Sequence, residues 1–359
     1  MHGYPVKDRP ARSALSLCIL FVLIFGGCSP SSAAARQEQV QQAPQEQQEQ
    51  VQPEQQEQVK QEQPQQTGPR FAVIPENPQP GEPVTIAFSG GGRAGNSKAV
   101  LVNGQGRIAR SDFFDFPVNE GELAFMTAIL PVPSTARSGP ASIRIENSSS
   151  VLIAELSLTI AKRDFVSEEI ELNQTNTDIR TVPDPQKTAE ANQLWAILNS
   201  TGTDIYVQDA FTPPVTSTRR TSFFGDRRVY KYSTGKTDTA IHAGIDYGVP
   251  KGTPVTACAD GKVVLARFRI STGNSVIIEH LPGVYSLYYH MDKINVSEGD
   301  LIVSGALLGQ SGATGLATGP HLHWEIRVSG ENTDPDALVE RPILDKDAIL
   351  AKLNQVSIF

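Results

Sequence analysis

The chain has 359 residues, of which 39% are hydrophobic, and a formal net charge of −8. This length and hydrophobic content suffice for about two ordinary domains. The net negative charge and the lack of a basic cluster argue against nucleic-acid binding, because a surface that binds nucleic acid must neutralise phosphates with positive charge.

The N-terminal residues predict an export signal. Lys7, Arg9 and Arg12 precede an uncharged, mostly apolar run at residues 13–25, an arrangement typical of a secretory signal. The run is too short to span a membrane comfortably, since a spanning helix needs about 20 apolar residues. Ordinary cleavage after the alanines at 33–35 is the alternative, but that site lies farther beyond the apolar run than such sites usually do.

The end of this run resembles a bacterial lipobox. Two glycines precede Cys28, although Phe25 stands where a lipobox usually has Leu. The resemblance implies that residues 1–27 are a lipoprotein signal peptide and that Cys28 is lipidated. The protein would then be anchored in the cell envelope, and Ser29 after the cysteine favours the outer membrane, with the protein facing the periplasm.

Residues 28–69 form a Gln- and Glu-rich segment. Positions 36–66 contain almost only Gln, Glu, Val and Pro, a composition that cannot bury enough apolar surface to fold. We therefore predict a disordered tether. A Gln-rich helix is the alternative, but Pro44, Pro53 and Pro64 would interrupt it.

Residues 70–165 show the alternation of short strands. Val84, Ile86 and Phe88 recur with period two, and Asn103-Gly104 is a turn signal. We predict an immunoglobulin-like β-sandwich. No group of residues in it could perform chemistry, so a spacer or binding module is expected, with a ligand that the sequence does not identify.

A connector with one helix is predicted at residues 166–205. Asp184 and Pro185 are typical of a helix start, and apolar residues then recur at helical spacing until Gly202. The β-branched, glycine-containing runs that follow predict a β domain at residues 206–340, with a tail at 341–359. The fold class is therefore mainly β.

Cys258 is the one cysteine left for the folded part of the chain if Cys18 is removed with the signal and Cys28 is lipidated. It cannot form an internal disulfide. A small buried hydrophobe is the interpretation favoured over a nucleophile, because its neighbours offer no activating group.

Most candidate functional residues of the C-terminal domain lie in two motifs. GPHLHWEI holds His321 and His323, although the chain has only six histidines, and a strand places both on one face. HAGID holds His242 and Asp246, which share a face whether extended or helical, with its glycines favouring the extended form. Two imidazoles and a carboxylate suit a catalytic Zn²⁺ site with one open position. A histidine held by a neighbouring carboxylate is the alternative reading of HAGID alone.

These segments resemble the lysostaphin-like, or LytM-type, zinc endopeptidases of bacterial peptidoglycan. HAGID is similar to that family's first metal motif, GPHLHWE to its second, and Tyr289-His290-Met291 to the segment with a catalytic histidine. The resemblance extends over about 130 residues. Further matching segments lie at residues 222–227, 252–255, 260–261, 298–300 and 309–315.

The resemblance implies an antiparallel β domain that binds one Zn²⁺ through His242, Asp246 and His323. It implies that His290 and His321 are the catalytic pair. Glu325 continues the alternation after His323 and could orient that ligand, or it could be a solvated carboxylate. His280 also lies where the family often has a histidine, and a structural role is expected for it.

The expected function is a zinc endopeptidase that acts on peptidoglycan peptides. The alternative is a non-catalytic lipoprotein that activates a peptidoglycan amidase, a role known for relatives that have lost metal or catalytic residues. This chain keeps all five positions, which favours the enzyme. A third hypothesis is a structural link between lipid and wall.

Overall fold

The computed structural model describes residues 68–90 and 96–355. The predicted signal peptide, the lipidation at Cys28, the tether up to residue 67 and residues 356–359 of the predicted tail lie outside the described residues. Within the described residues, no helix is long and apolar enough to cross a membrane. The fold is mainly β, as the sequence predicts.

The first eight strands form two antiparallel sheets that enclose a common core. One sheet has the order β1-β2-β6-β5 and the other the order β4-β3-β7-β8. This agrees with a sandwich, while the immunoglobulin-like topology stays a prediction. The strands are β1 (Arg70–Ile74), β2 (Pro83–Ser89), β3 (Lys98–Asn103), β4 (Gly106–Asp112), β5 (Phe114–Asp115), β6 (Met126–Pro131), β7 (Gly139–Glu146) and β8 (Leu152–Ile160).

Strand β2 is buried along its whole length because both faces of its sheet are covered. Val84, Ile86 and Phe88 belong to the sandwich core, as their alternation predicts. Ala87 faces the other way and joins a hydrophobic cluster that extends into the C-terminal domain. The sandwich and the C-terminal domain therefore share a continuous hydrophobic contact.

The connector contains β9 (Ser167–Glu171), α1 (Gln174–Thr181) and α2 (Pro185–Leu198). Helix α2 begins where the sequence predicts, because the Asp184 side chain accepts hydrogen bonds from the first free backbone N–H groups. It ends at Leu198, before Gly202. The sequence did not reveal β9 and α1, since both are polar and short, without a clear apolar period.

The C-terminal domain is a ten-stranded antiparallel sheet beside a three-stranded one. The larger sheet follows the path β10-β13-β20-β17-β16-β15-β18, and the smaller has the order β12-β11-β9, with β9 parallel to β11. The strands are β10 (Arg220–Ser222), β11 (Arg227–Lys231), β12 (Thr237–Ile241), β13 (Ile245–Tyr247), β14 (Pro254–Thr256), β15 (Gly261–Arg269), β16 (Gly273–Leu281), β17 (Val284–Ile294), β18 (Leu301–Ile302), β19 (Leu307–Ser311), β20 (Leu322–Val328) and β21 (Glu331–Thr333).

The chain continues with α3 (Pro335–Glu340) and α4 (Lys346–Asn354). Helix α4 lies in the segment predicted as a tail, and it packs against β1 and β2. Ile349 and Leu353 are buried there, since residues four apart share one face of a helix. The segment thus adds a helix to the core.

Candidate metal centre and cleft

His242 and Asp246 lie at the junction of β12 and β13. His242 follows the last residue of β12, and Asp246 is the middle residue of β13, so HAGID is extended rather than helical. A Cβ atom on Gly244 would lie 2.1 Å from the Trp324 carbonyl oxygen. Glycine therefore lets this junction lie directly against β20.

His323 in β20 and His321 just before that strand approach the same carboxylate. His323 is the cross-strand partner of Asp246, and its Nδ1 lies 2.7 Å from Asp246 Oδ1. Nε2 of His321 lies 3.8 Å from that oxygen. The two imidazoles converge on one face, as their period-two spacing predicts.

His290 reaches the same place because the backbone of β17 departs from regular strand geometry. Its φ is 60°, a left-handed conformation that is uncommon outside glycine. Tyr289 stacks on the His323 ring at 5.6 Å, and the His290 ring lies 4.7 Å from the His321 ring. Two adjacent residues thus face the site, whereas a regular strand would point them to opposite faces.

Three candidate ligand atoms converge, and two of their three separations are close to the edge of a tetrahedral metal site. His242 Nε2 lies 3.1 Å from His323 Nδ1 and 3.3 Å from Asp246 Oδ1. Zinc bonds of about 2.0–2.1 Å give tetrahedral edges of about 3.3–3.4 Å. The remaining separation, between His323 and Asp246, is that of a hydrogen bond. Two imidazole nitrogens and one carboxylate oxygen are donors that Zn²⁺ prefers, so this donor set fits one such ion.

Hydrogen bonds behind the ligands fix their orientation. His242 Nδ1 donates to the Phe223 carbonyl at 2.7 Å, so its Nε2 keeps a lone pair. His323 Nε2 contacts Glu325 Oε1 at 2.9 Å, and Arg327 donates to the other Glu325 oxygen. Carbonyl and carboxylate partners of this kind orient metal-binding histidines. Glu325 is buried, which favours the orienting role over the solvated alternative.

Charge coupling explains the protonation of this cluster without metal. Burial opposes a charge on His323, but Asp246 and Glu325 outweigh it and raise the pKa of His323 to about 9. Burial would raise the pKa of Asp246, yet His323 and His242 hold it well below the usual value. Burial also opposes the charge on Glu325, but Arg327 and His323 lower its pKa to about 2. The His323 imidazole is thus protonated, with one carboxylate beside each of its ring nitrogens.

His290 and His321 form a neutral pair beside these ligands. His290 Nδ1 donates to the Thr314 carbonyl and His321 Nδ1 to the Gly319 carbonyl, each at 2.8 Å. Burial, with the neighbouring histidines, lowers the pKa of His290 to about 3. Burial likewise lowers the pKa of His321. Both rings are therefore neutral and keep an Nε2 lone pair that can accept a hydrogen bond.

The five residues line a cleft of about 610 Å³. The segment 316–321 forms part of its wall, and residues of β11 and β12 form another part. Glu168 and Ile170 of β9 and Arg180 of α1 also line it. The connector therefore contributes to the cleft, which the sequence did not predict.

Cys258 and His280 lie together in the core. Both are fully buried, and burial raises the pKa of the Cys258 thiol to about 11. His280 Nδ1 donates to the Asp260 carbonyl at 2.6 Å, and its Nε2 contacts Ser286 Oγ at 2.7 Å. Neither residue lines the cleft, which agrees with the structural roles expected for them.

Arg228 is the main site residue that sequence reasoning missed. Its Nη2 donates to Asp246 Oδ2 at 2.6 Å, on the side of the carboxylate away from His323. It lies one position beyond the segment matched at residues 222–227. The carbonyls of Thr314 and Gly319 were also missed, since a backbone acceptor has no side-chain signal.

Comparison with known sequences gives matches in this part of the chain. Residues 240–335 match Peptidase family M23. The DD-carboxypeptidase/endopeptidase Mpg of Neisseria meningitidis is 40% identical over 122 residues, which are 34% of this chain and 27% of that protein. The peptidoglycan DD-endopeptidase ShyB of Vibrio cholerae is 40% identical over 114 residues, 32% of this chain and 26% of that protein. The aligned region thus spans about a quarter of each relative.

The fold also has a counterpart among solved structures. A Pseudomonas aeruginosa protein described as peptidase M23 superposes with a TM-score of 0.51 and covers 73% of this chain and 94% of its own. At 23% identity, this likeness concerns the fold. The sequence match identifies residues 240–335 as a Peptidase family M23 domain of the LytM type.

Proposed function

We propose that the protein is a zinc-dependent endopeptidase that cleaves peptide bonds in the stems or cross-links of peptidoglycan. The observation that supports this best is the convergence of three metal-ligand atoms and two imidazoles with free Nε2 atoms in one cleft. The M23 domain, and relatives named as peptidoglycan DD-endopeptidases, support peptidoglycan as the substrate.

In this proposal His242, Asp246 and His323 hold one Zn²⁺. When bound, the ion supplies Lewis-acid chemistry, since it polarises a carbonyl and makes water a stronger acid. Glu325 keeps the His323 ring in the orientation that presents Nδ1. Burial of all three ligands limits competing solvent around the site.

His290 and His321 would move the proton of hydrolysis. Each is anchored through Nδ1 and presents Nε2, so each can take a proton from the attacking water. The protonated ring can then stabilise the developing oxyanion or return the proton to the leaving amine. The sequence has no HExxH motif, so no helical glutamate of that kind is available and histidine takes the role of base.

The substrate would be an extended peptide in the cleft. Small residues dominate the segment SGATGLATG that precedes His321, and small side chains let a peptide lie close to the backbone. A bond of the type cut by a DD-endopeptidase, as named for the Vibrio relative, is the first candidate. The expected lipid anchor at Cys28 and the tether would hold the cleft in the periplasm, near the wall.

The test incubates the purified mature protein with zinc and intact peptidoglycan, and identifies released fragments by mass spectrometry. We expect new peptide termini that are absent with a His323→Ala variant. The amidase-activator alternative predicts a different result: no peptide cleavage by the zinc-loaded protein, but faster release of stem peptides when a wall amidase is added. That pair of results would refute the endopeptidase.

A further inference from the structure

A positive charge lies directly behind one of the proposed metal ligands. Arg228 donates to Asp246 Oδ2 at 2.6 Å, and the side chains are only 12% and 10% exposed. A guanidinium on the same carboxylate competes with a dication for its negative charge, and low solvent exposure strengthens that competition. The site therefore needs something that offsets Arg228.

Glu168 lies where its negative charge can offset that of Arg228. It is the cross-strand partner of Arg228 in the parallel pairing of β9 with β11. Its Oε1 accepts from Arg228 Nε at 2.5 Å and from Ser222 Oγ at 2.6 Å. The hydroxyl of Ser222 accepts in turn from Arg228 Nη2 at 2.7 Å. A ring of three hydrogen bonds thus fixes the guanidinium plane against Asp246.

The direction of the Glu168 side chain follows from strand alternation. Glu168 and Ile170 share a face of β9 and line the cleft. Glu169, between them, points outward, where it pairs with Lys231 and is 64% exposed. The neighbouring glutamates on one strand therefore have different surroundings, which provides a matched control.

We propose that Glu168 is a positioning residue of the metal centre: it compensates the charge of Arg228 and holds it so that Asp246 presents Oδ1 to a divalent cation. This rests on the zinc site of the proposed function. Glu168 lies in the connector, outside the matched residues 240–335. The M23 domain is then completed by a strand that precedes it in the chain.

The test measures zinc affinity of the full chain by competition with a chromophoric chelator, without peptidoglycan. Glu168→Gln keeps the shape of the side chain and removes its charge. We expect zinc to bind about tenfold more weakly, since partners behind a metal ligand typically contribute 10- to 100-fold to affinity. The matched variant Glu169→Gln should bind zinc like the wild type, and thermal unfolding should show both variants folded.

Two further variants separate charge from structure. Glu168→Asp keeps the negative charge on the same strand and should bind zinc within about threefold of the wild type. It is compared with Glu169→Gln if Glu168→Gln does not fold. In an Arg228→Gln background, Glu168→Gln should cost at most about threefold, because the two side chains act together.

Equal affinities of Glu168→Gln and Glu169→Gln would overturn the inference, as would a tenfold loss in Glu168→Asp. A wild-type protein that binds no zinc would instead refute the proposed function itself. The two failures are therefore distinguishable.

Discussion

Zinc binding to the metal-free protein should release one proton near neutral pH. His323 has a pKa of about 9 because Asp246 and Glu325 flank its ring and outweigh its burial, so it is mostly protonated at pH 7.0. Zinc needs the lone pair of Nδ1, the atom that lies 2.7 Å from Asp246 Oδ1. The ion must therefore take the place of that proton.

The cost of this exchange follows from the pKa. A pKa of about 9 lies about two units above pH 7.0, so the proton lowers the apparent zinc affinity on the order of a hundredfold. Zinc affinity should therefore rise as pH increases toward 9 and then level off. The raised pKa also stabilises the metal-free fold: this contribution is complete below about pH 6.5 and is lost as pH rises through about 9.

Isothermal titration calorimetry in buffers with different ionisation enthalpies counts the released protons. We expect about one proton per zinc at pH 7.0. Glu325→Gln removes one flanking carboxylate, so it should lower the pKa of His323 and reduce the proton count at higher pH. A count near zero for the wild type would mean that His323 is neutral without metal, contrary to this prediction.

Four other variants or reagents test the remaining structure. Gly244→Ala should lower both zinc affinity and Tm, since its Cβ would lie 2.1 Å from a backbone oxygen; an unchanged melting curve would contradict this. Glu325→Ala should lower the free energy of unfolding in urea by about 3–5 kcal/mol, because it leaves Arg327 buried without its carboxylate. His290→Ala should lower kcat by about 100-fold or more but leave zinc affinity unchanged in calorimetry. Cys258 should not react with a thiol reagent at pH 8 in the native protein, because it is buried and its pKa is about 11, whereas rapid labelling would show an exposed thiol.

The candidate metal-site residues stand out in the sequence because their chemistry lies in residue types at fixed spacing. HxH in a strand and HAGID in an extended segment each present two ligand-type side chains to one side. The pairing of β13 with β20 then needs only to bring two such faces together. Glu325 was ambiguous in the sequence, since burial decides between its two roles and burial is a tertiary property.

The rest of the site depends on contacts between distant segments. Glu168 meets Arg228 only because β9 pairs with β11, and nothing in the polar sequence of β9 indicates that partner. Helix α4 and the burial of the second face of β2 were not predicted for the same reason. Each depends on packing between segments that are distant in the sequence. The local sequence pattern predicted individual helices and strands more readily than it predicted the contacts between them.

The proposed endopeptidase activity can be measured on a purified cross-linked dimer of peptidoglycan stems. The protein should convert the dimer to monomers when zinc is present, stop after chelation and resume when zinc is restored, and the His323→Ala variant should leave the dimer intact. Zinc-loaded protein that binds the ion through His242, Asp246 and His323 but leaves cross-links and stem peptides uncut would contradict the account.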